Sequence, residues 1–282
     1  MFVKRVARAA VAALIVVGLS VALPLSASAA RHSHARHRNL EATKPTIVLV
    51  HGAWADSGSW DQVIRRLQRD GYTVWAPPNP LMGLATDSAT IADFLEKISG
   101  PIVLVGHSYG GEVITNAAYG NSQVKALVYV DAYIPAQGDS LESLTGAGSC
   151  FAVPPSDLPN LFKFVPFPGA PSGVYDAYVQ QSVFPGCFAN GLPAREGMAL
   201  AATQRPLATN ALTDQSGPPA WATIPSWDVV GTADHVIPPA DQLSMAHRAG
   251  ARITEIDAPH LSMIADPSAV TNVIEQAATR TG

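Results

Sequence analysis

A serine flanked by glycines follows a fully apolar run near the middle of the chain. Residues 102–105 read Ile-Val-Leu-Val, and residues 106–110 read Gly-His-Ser-Tyr-Gly, which is a G-x-S-x-G pattern. An apolar strand that enters this pattern and continues as a helix is typical of a nucleophile elbow, a tight turn that exposes a serine hydroxyl above the end of a sheet. The turn leaves little room for a Cβ at its flanks, which favours glycine there. We therefore predict that Ser108 is a nucleophile and that its backbone is strained.

A serine nucleophile needs a general base, and histidine is the usual one. Three histidines follow Ser108 far along the chain, namely His235, His247 and His260. His260 lies on a loop after the predicted strand 252–256, at the edge of the sheet where open α/β folds carry their sites. His247 lies inside a predicted helix, and His235 is next to an acid candidate. We therefore predict that His260 is the base.

The base in turn needs a carboxylate that orients its ring. Asp234 follows the predicted strand 226–230, and Asp131 directly follows the predicted strand 126–130. Both could reach the histidine, because the carboxyl ends of parallel strands meet at one edge of a sheet. We predict Asp234, because the order Ser, Asp, His along the chain is the one expected after this kind of elbow. Asp131 stays the alternative, or it caps the start of the next segment.

Two backbone N–H groups must stabilise the oxyanion that forms during acyl transfer. Tyr109 comes directly after the nucleophile at a predicted helix start, where amides are free and the helix dipole favours an anion. The second donor is expected on the loop after the first strand, where residues 51–54 read His-Gly-Ala-Trp. We assign that donor to Ala53, and we predict that Trp54 contacts the substrate on its acyl side.

Short apolar runs alternate with amphipathic stretches from Pro45 onward, a pattern that predicts a parallel sheet flanked by helices. The predicted strands cover residues 46–50, 73–76, 102–105, 126–130, 226–230 and 252–256. The predicted helices cover about 60–70, 88–98, 111–119, 239–249 and 267–278. Each residue assigned a role in the site above follows one of these strands.

The alternation fails between residues 132 and 225, which we call the lid. This stretch is too long for a connecting loop and too apolar for a linker. We predict that it is inserted after the fourth strand and packs over the carboxyl edge of the sheet, with a helical fragment at 194–203. Its aromatic side chains are predicted to wall an apolar pocket, and they are Phe162, Phe164, Phe167, Tyr175, Tyr178 and Phe184.

The N-terminal residues are typical of a targeting sequence. Three basic side chains precede an apolar run at 9–25 and an Ala-Ser-Ala site at 27–29, which together predict a signal peptide over residues 1–29. The apolar run is short for a membrane anchor. We expect a secreted bacterial protein with no stable membrane span after cleavage, a flexible basic tail at 30–44 and one α/β domain at 45–282.

Charge and cysteine content agree with an exported enzyme. The whole chain carries a net charge of −4, and loss of the signal peptide leaves 15 basic residues against 22 acidic ones, or −7. Such a protein has no electrostatic reason to bind nucleic acid. The two cysteines, Cys150 and Cys187, both lie in the lid. In an oxidising compartment we predict that they pair, although their spacing does not fix the geometry.

Taken together, these motifs resemble the α/β-hydrolase superfamily, and more narrowly its branch of pyrethroid-hydrolase-like esterases, plant methylesterases and hydroxynitrile lyases. The resemblance rests on residues 48–54, 106–111, 231–234 and 259–260. It implies a serine esterase without cofactor or metal that uses Ser108, Asp234 and His260. It also implies a trimmed, mainly parallel six-stranded sheet, because larger members have two further strands before the His-Gly loop. We expect a monomer that acts on small to medium apolar esters or lactones.

Alternatives on the same site stay open. Hydroxynitrile lyases of this branch carry a lysine directly after the histidine, whereas Leu261 follows His260 here, which disfavours cyanohydrin cleavage. A cofactor-free perhydrolase or haloperoxidase would use the same residues. A non-catalytic relative would keep the pocket and bind a ligand without turning it over. The fold and the motifs do not name the ester.

Overall fold

The computed structural model describes residues 44–280 of the chain. The predicted signal peptide and all but the last residue of the predicted tail lie outside this range. The strands of the described residues are β1 (Thr46–Val50), β2 (Val74–Trp75), β3 (Ile102–His107), β4 (Val124–Val130), β5 (Phe162–Val165), β6 (Asp176–Val179), β7 (Leu207–Ala208), β8 (Ser226–Gly231) and β9 (Arg252–Ile256). The helices are α1 (Asp61–Arg69), α2 (Leu84–Leu95), α3 (Tyr109–Ala117), α4 (Leu141–Leu144), α5 (Leu158–Leu161), α6 (Ala194–Thr203), α7 (Pro239–Ala249), α8 (Ser262–Ala265) and α9 (Pro267–Thr279).

Six of these strands form one sheet in the order β2-β1-β3-β4-β8-β9, and every neighbouring pair is parallel. The predicted sheet is confirmed, with strand ends that differ by two residues or fewer. All six side-chain positions of β3 are buried. Since successive residues of a strand point to opposite faces, both faces of the sheet must be covered at β3. Helices α3 and α9 pack against β3 and β4 and supply part of this cover.

Helix α3 begins directly after Ser108, two residues earlier than predicted. Its first turn contains two glycines, which are poor helix formers. Packing overrides this low propensity, because a Cβ on Gly110 would lie 2.6 Å from the carbonyl oxygen of Val50, and one on Gly111 would lie 2.4 Å from that of Tyr133. Only glycine lets the start of the helix approach the backbone at Val50 and Tyr133 so closely.

The lid follows β4, as predicted, and contains a second sheet. Strands β5, β6 and β7 pair antiparallel in that order. The sequence did not predict these strands, because they are two to four residues long and lie in a stretch rich in Pro and Gly. The lid helix predicted at 194–203 is present as α6.

The predicted disulfide is present, since Cys150 and Cys187 are bonded with their Cα atoms 5.8 Å apart. Across residues 44–280, no helix combines the length and the apolar character that crossing a membrane requires. In the same range, no three or more His, Cys, Asp or Glu side chains are grouped so that they could hold a metal ion.

Candidate active site

Ser108 lies in the tight turn between β3 and α3, with φ 53° and ψ −125°. A positive φ is unfavourable for a residue with a Cβ, so the turn stores strain at this position. The glycine two residues before it is required by contact, because a Cβ on Gly106 would lie 2.5 Å from the carbonyl oxygen of Gly110. The backbone thus closes tightly around the serine, which has the strained conformation that the sequence motif predicts.

A chain of hydrogen bonds links the predicted nucleophile, base and acid. His260 Nε2 lies 3.1 Å from Ser108 Oγ, and His260 Nδ1 lies 2.8 Å from Asp234 Oδ2. The three side chains come from loops after β3, β8 and β9, so the parallel sheet brings together residues that are up to 152 positions apart. This is the spatial relation that a Ser-His-Asp acyl-transfer site requires.

Asp234 accepts hydrogen bonds from three further donors besides His260. Its Oδ1 accepts the N–H groups of Val236 at 2.7 Å and Ile237 at 3.0 Å. Its Oδ2 accepts the side-chain amide of Gln242 at 2.8 Å, and the same amide nitrogen donates to the carbonyl oxygen of Ile237. Both carboxylate oxygens are therefore fixed, and the one that faces His260 cannot rotate away without losing these bonds. No local pattern in the sequence marks Gln242, because its contact depends on how α7 packs.

Asp131 is buried but makes no hydrogen bond with His260. Its Oδ1 accepts the N–H of Gly231 at 2.8 Å, and its Oδ2 accepts that of Ser262 at 3.2 Å. Burial, followed by repulsion from Asp234, raises the pKa of Asp131 well above its usual value. The structure thus places Asp131 as a link between the ends of β4, β8 and the loop after His260, and it places Asp234 on the histidine ring.

The two predicted oxyanion donors lie beside the serine. A Cβ on Gly52 would be only 2.7 Å from the Cβ of Ser108, so the loop after β1 passes directly against the nucleophile. Tyr109 occupies the first position of α3, where helix amides lack intrahelical partners. Within residues 44–280, neither the N–H of Ala53 nor that of Tyr109 donates a backbone hydrogen bond. Neither amide is thus engaged by another backbone group, which is what an oxyanion donor requires.

His51 holds the loop after β1 in place. Its Nε2 accepts the N–H of Asn79 at 3.0 Å, and its Nδ1 lies 2.9 Å from the carbonyl oxygen of Gly52. Arg205 of the lid donates to the carbonyl oxygen of Asn79 at 2.8 Å and lies 3.2 Å from His51 Nε2. Burial, and secondly the Arg205 charge, lowers the pKa of His51 to about 4. A neutral ring is required for Nε2 to accept this hydrogen bond.

His107 supports the loop of His260 from the strand side. Its Nε2 lies 3.0 Å from the carbonyl oxygen of His260, and the two rings lie 4.8 Å apart. Burial, followed by the proximity of His260, lowers the pKa of His107 well below its usual value. The neutral ring can donate from Nε2 while adding no positive charge next to the predicted base.

Trp54 belongs to a group of packed rings that we call the aromatic cluster, made of Trp54, Phe151, Phe162 and Phe188. The Trp54 ring centre lies 5.1 Å from that of Phe151, 5.5 Å from Phe162 and 5.7 Å from Phe188. Its indole N–H donates to the carbonyl oxygen of Ala177 in the lid at 2.9 Å. The cluster therefore joins the loop after β1 to the lid.

The lid aromatics named from the sequence do not act as one group. Phe162 is in the aromatic cluster, and the buried Phe184 packs on Phe188 with ring centres 4.9 Å apart. Phe164 and Tyr175 are exposed by 37% and 42%. Sequence reasoning missed Phe151 and Phe188, although each directly follows one of the two cysteines.

Comparison with known proteins identifies the family. A family model described as the alpha/beta hydrolase family matches residues 47–273, which is most of the chain. The chain belongs to the alpha/beta hydrolase family. The solved structure of an extracellular alpha/beta-hydrolase from a Paenibacillus species has the same fold, with a TM-score of 0.68 at 21% identity over 83% of this chain and 99% of that one.

Two curated relatives match about a third of this chain at 30% identity or more. The carbendazim hydrolyzing esterase of Nocardioides sp. (strain SG-4G) is 34% identical over 110 residues, which are 34% of this chain and 46% of that protein. The pyrethroid hydrolase of Sphingobium wenxiniae (strain DSM 21828 / CGMCC 1.7748 / JZ-1) is 30% identical over 118 residues, or 38% of this chain and 42% of that protein. Each match therefore spans less than half of the relative's length.

Proposed function

We propose that this alpha/beta hydrolase is a secreted serine carboxylic-ester hydrolase that acts on small to medium apolar esters or lactones. The observation that carries the proposal is the hydrogen-bond chain in which His260 joins Ser108 Oγ at 3.1 Å to Asp234 at 2.8 Å. The names of the two curated relatives, an esterase and a pyrethroid hydrolase, support the same reaction class. The predicted signal peptide supports secretion.

In the proposed mechanism, Ser108 Oγ attacks the ester carbonyl carbon while His260 Nε2 takes the hydroxyl proton. The negative charge that develops on the carbonyl oxygen is stabilised by the N–H groups of Ala53 and Tyr109. His260 then gives its proton to the leaving alcohol, and an acyl group stays bound to the serine. Water, deprotonated by His260, attacks this acyl group, which releases the acid and returns the proton to Ser108.

Asp234 keeps Nδ1 of the histidine protonated and stabilises the ring when it becomes positively charged. Three further donors, from Val236, Ile237 and Gln242, fix this carboxylate. The apolar rings of the aromatic cluster beside the site favour an uncharged, apolar substrate over a charged polymer.

The test compares Ser108→Ala with wild type on p-nitrophenyl butyrate, without added peroxide. We expect the kcat of the variant to fall by a factor of about 10⁴ or more, because a serine triad loses most of its rate when the nucleophile is removed. Ser88→Ala is the matched control, since Ser88 is also buried and its hydroxyl has no hydrogen-bond partner in the described residues.

Wild-type turnover in the Ser108→Ala variant would exclude the proposed nucleophile. Activity that appears only with hydrogen peroxide and halide would identify a haloperoxidase instead. Labelling of Ser108 by an organophosphonate without turnover of any ester would identify a ligand-binding protein.

A further inference from the structure

The lid contains the dipeptide Cys-Phe twice, as Cys150-Phe151 and Cys187-Phe188. The two cysteines form the disulfide, with their Cα atoms 5.8 Å apart. Each phenylalanine is therefore one residue away from the same covalent cross-link. Both rings are members of the aromatic cluster and pack on Trp54, which directly follows the proposed oxyanion donor Ala53. The cross-link and the two rings form one unit beside the site.

This unit is bonded to the loop that carries Asp234. The N–H of Cys150 donates to the carbonyl oxygen of His235 at 2.8 Å. On the other side of the disulfide, the side-chain amide of Asn190 donates to the carbonyl oxygen of Ala233 at 2.7 Å. The segments that carry Cys150 and Cys187 are thus both bonded to residues directly adjacent to the proposed acid. These bonds resist movement of the two segments away from each other.

Phe188 also covers the proposed base. Its ring centre lies 5.1 Å from that of His260, with the two planes at 67°. His260 is fully buried, and Ser108 is only 3% exposed. A substrate carbonyl must approach Ser108 Oγ and the two proposed oxyanion amides past the side chains that cover them. Movement of these covering side chains would widen the approach.

We propose that Phe151 and Phe188 are the specificity-determining residues of this site, and that the Cys150–Cys187 disulfide limits how far they separate. This inference rests on the proposed esterase function. A slender acyl group needs one ring to shift, whereas a bulky one needs both rings to part. Because the disulfide joins the residues next to both rings, it restricts the second motion more than the first. The intact enzyme therefore selects esters with small or slender acyl groups.

The first experiment measures acyl selectivity in Phe151→Ala and Phe188→Ala. The readout is the ratio of kcat/KM for the bulky p-nitrophenyl pivalate to that for p-nitrophenyl acetate. We expect this ratio to rise about tenfold or more in each variant, the size of effect that a change in an apolar pocket has on selectivity. Tyr175→Ala is the control, because this lid aromatic is exposed and packs on no ring of the aromatic cluster, and its ratio should equal that of wild type.

A ratio that stays at the wild-type value in both cluster variants would overturn the proposal. An equal rise in Tyr175→Ala would also overturn it, because the effect would then come from general loosening of the lid. A fall in kcat for both esters with no change in their ratio would assign the two rings a structural role only.

The second experiment removes the cross-link with the double variant Cys150→Ser and Cys187→Ser. Its readout is the rate at which a small and a bulky organophosphonate label Ser108, and labelling needs no turnover. We expect the labelling rate of the bulky reagent to rise by at least about tenfold relative to that of the small one. An unchanged relative rate in a variant with wild-type near-UV circular dichroism would overturn the role of the disulfide. If the double variant does not fold, reduction of the wild-type disulfide with dithiothreitol gives the same comparison.

Failure of this inference can be separated from failure of the proposed function. A wild-type protein that is labelled at Ser108 but hydrolyses no ester contradicts the esterase proposal, while the labelling ratios still test the two rings and the disulfide. A wild-type protein that hydrolyses esters with unchanged selectivity in every variant contradicts only the inference about the lid.

Discussion

Hydrogen-bond partners separate the roles of the three buried histidines around Ser108. His51 and His107 are fully buried and use their ring nitrogens to hold backbone groups of neighbouring loops. His260 is equally buried but has a carboxylate on one nitrogen and the serine hydroxyl on the other. A carboxylate partner is what allows a buried imidazole to become charged during a reaction. The environment of each ring, rather than its distance from the serine, thus distinguishes a base from a structural residue.

The pKa of His51 makes a prediction about stability. Its value is 6.5 in an unfolded chain and about 4 in the folded protein. Its contribution to stability is therefore complete above pH 6.5 and is lost as the pH falls from 6.5 to 4, because the unfolded chain then binds the proton more tightly. Between pH 7 and pH 5 we expect wild type to lose about 2 kcal/mol of unfolding free energy relative to His51→Gln.

Urea unfolding at both pH values measures this difference. The amide oxygen of the variant can still accept the N–H of Asn79, and it does not titrate in this range. His247→Gln, on the exposed part of α7, is the control and should follow wild type at both pH values. An equal loss of unfolding free energy between pH 7 and pH 5 in wild type and His51→Gln would show that the His51 ring does not govern the loss of stability in acid.

At the level of residues, sequence reasoning names side chains whose signal is local and misses those whose contacts are tertiary. Ser108 is marked by its glycines, and Asp234 and His260 by their positions after strands. Gln242 and Phe188 carry no such mark, because their contacts depend on how α7 and the lid pack. Cys187, directly before Phe188, could have pointed to this ring, because a residue next to a disulfide is held close to the cross-link.

At the level of elements, the parallel sheet was predictable because its central strands β1 and β3 are mostly apolar, and short strand-like runs alternate with amphipathic helical stretches along the chain. The bounds of β1 and β9 agree with the prediction residue for residue. The second predicted helix was displaced, since α2 begins at Leu84 rather than residue 88. The N–H of Leu84 is bonded to the carboxylate of Asp214 in the lid, a contact that no local pattern encodes.

The junction between β3 and α3 gives a prediction about packing. A Cβ on Gly106 would meet three backbone atoms within 2.9 Å, and backbone cannot move aside as a flexible side chain can. We expect Gly106→Ala to lower the free energy of unfolding by about 1–3 kcal/mol or more, the cost of overpacking a core. Thermal unfolding followed by circular dichroism measures this loss.

Gly186→Ala is the matched control for this junction. A Cβ at this lid position would have no neighbour closer than 4.0 Å, so the variant should unfold at the wild-type temperature. Equal stability of the two alanine variants would contradict the close approach described at Gly106.

At the scale of the whole molecule, the N-terminal residues make a prediction about processing. Cleavage after the Ala-Ser-Ala site should give an exported protein that begins at Ala30. Intact-mass measurement of the protein from culture medium should show the loss of residues 1–29. Ala29→Arg should block this cleavage, because signal peptidase sites need a small residue there. A cell-associated protein that retains Met1 would contradict both the signal peptide and secretion.

The insertion of the lid between β4 and β8 has a consequence for the order of folding. Strands β4 and β8 are neighbours, yet 95 residues of chain lie between them. Contacts between distant parts of a chain form slowly, whereas β1, β3 and β4 can pair through much shorter crossovers. The seam between β4 and β8 is thus expected to close late during refolding. Ser108 lies on one side of this seam and Asp234 and His260 on the other, so recovery of turnover would report its closure.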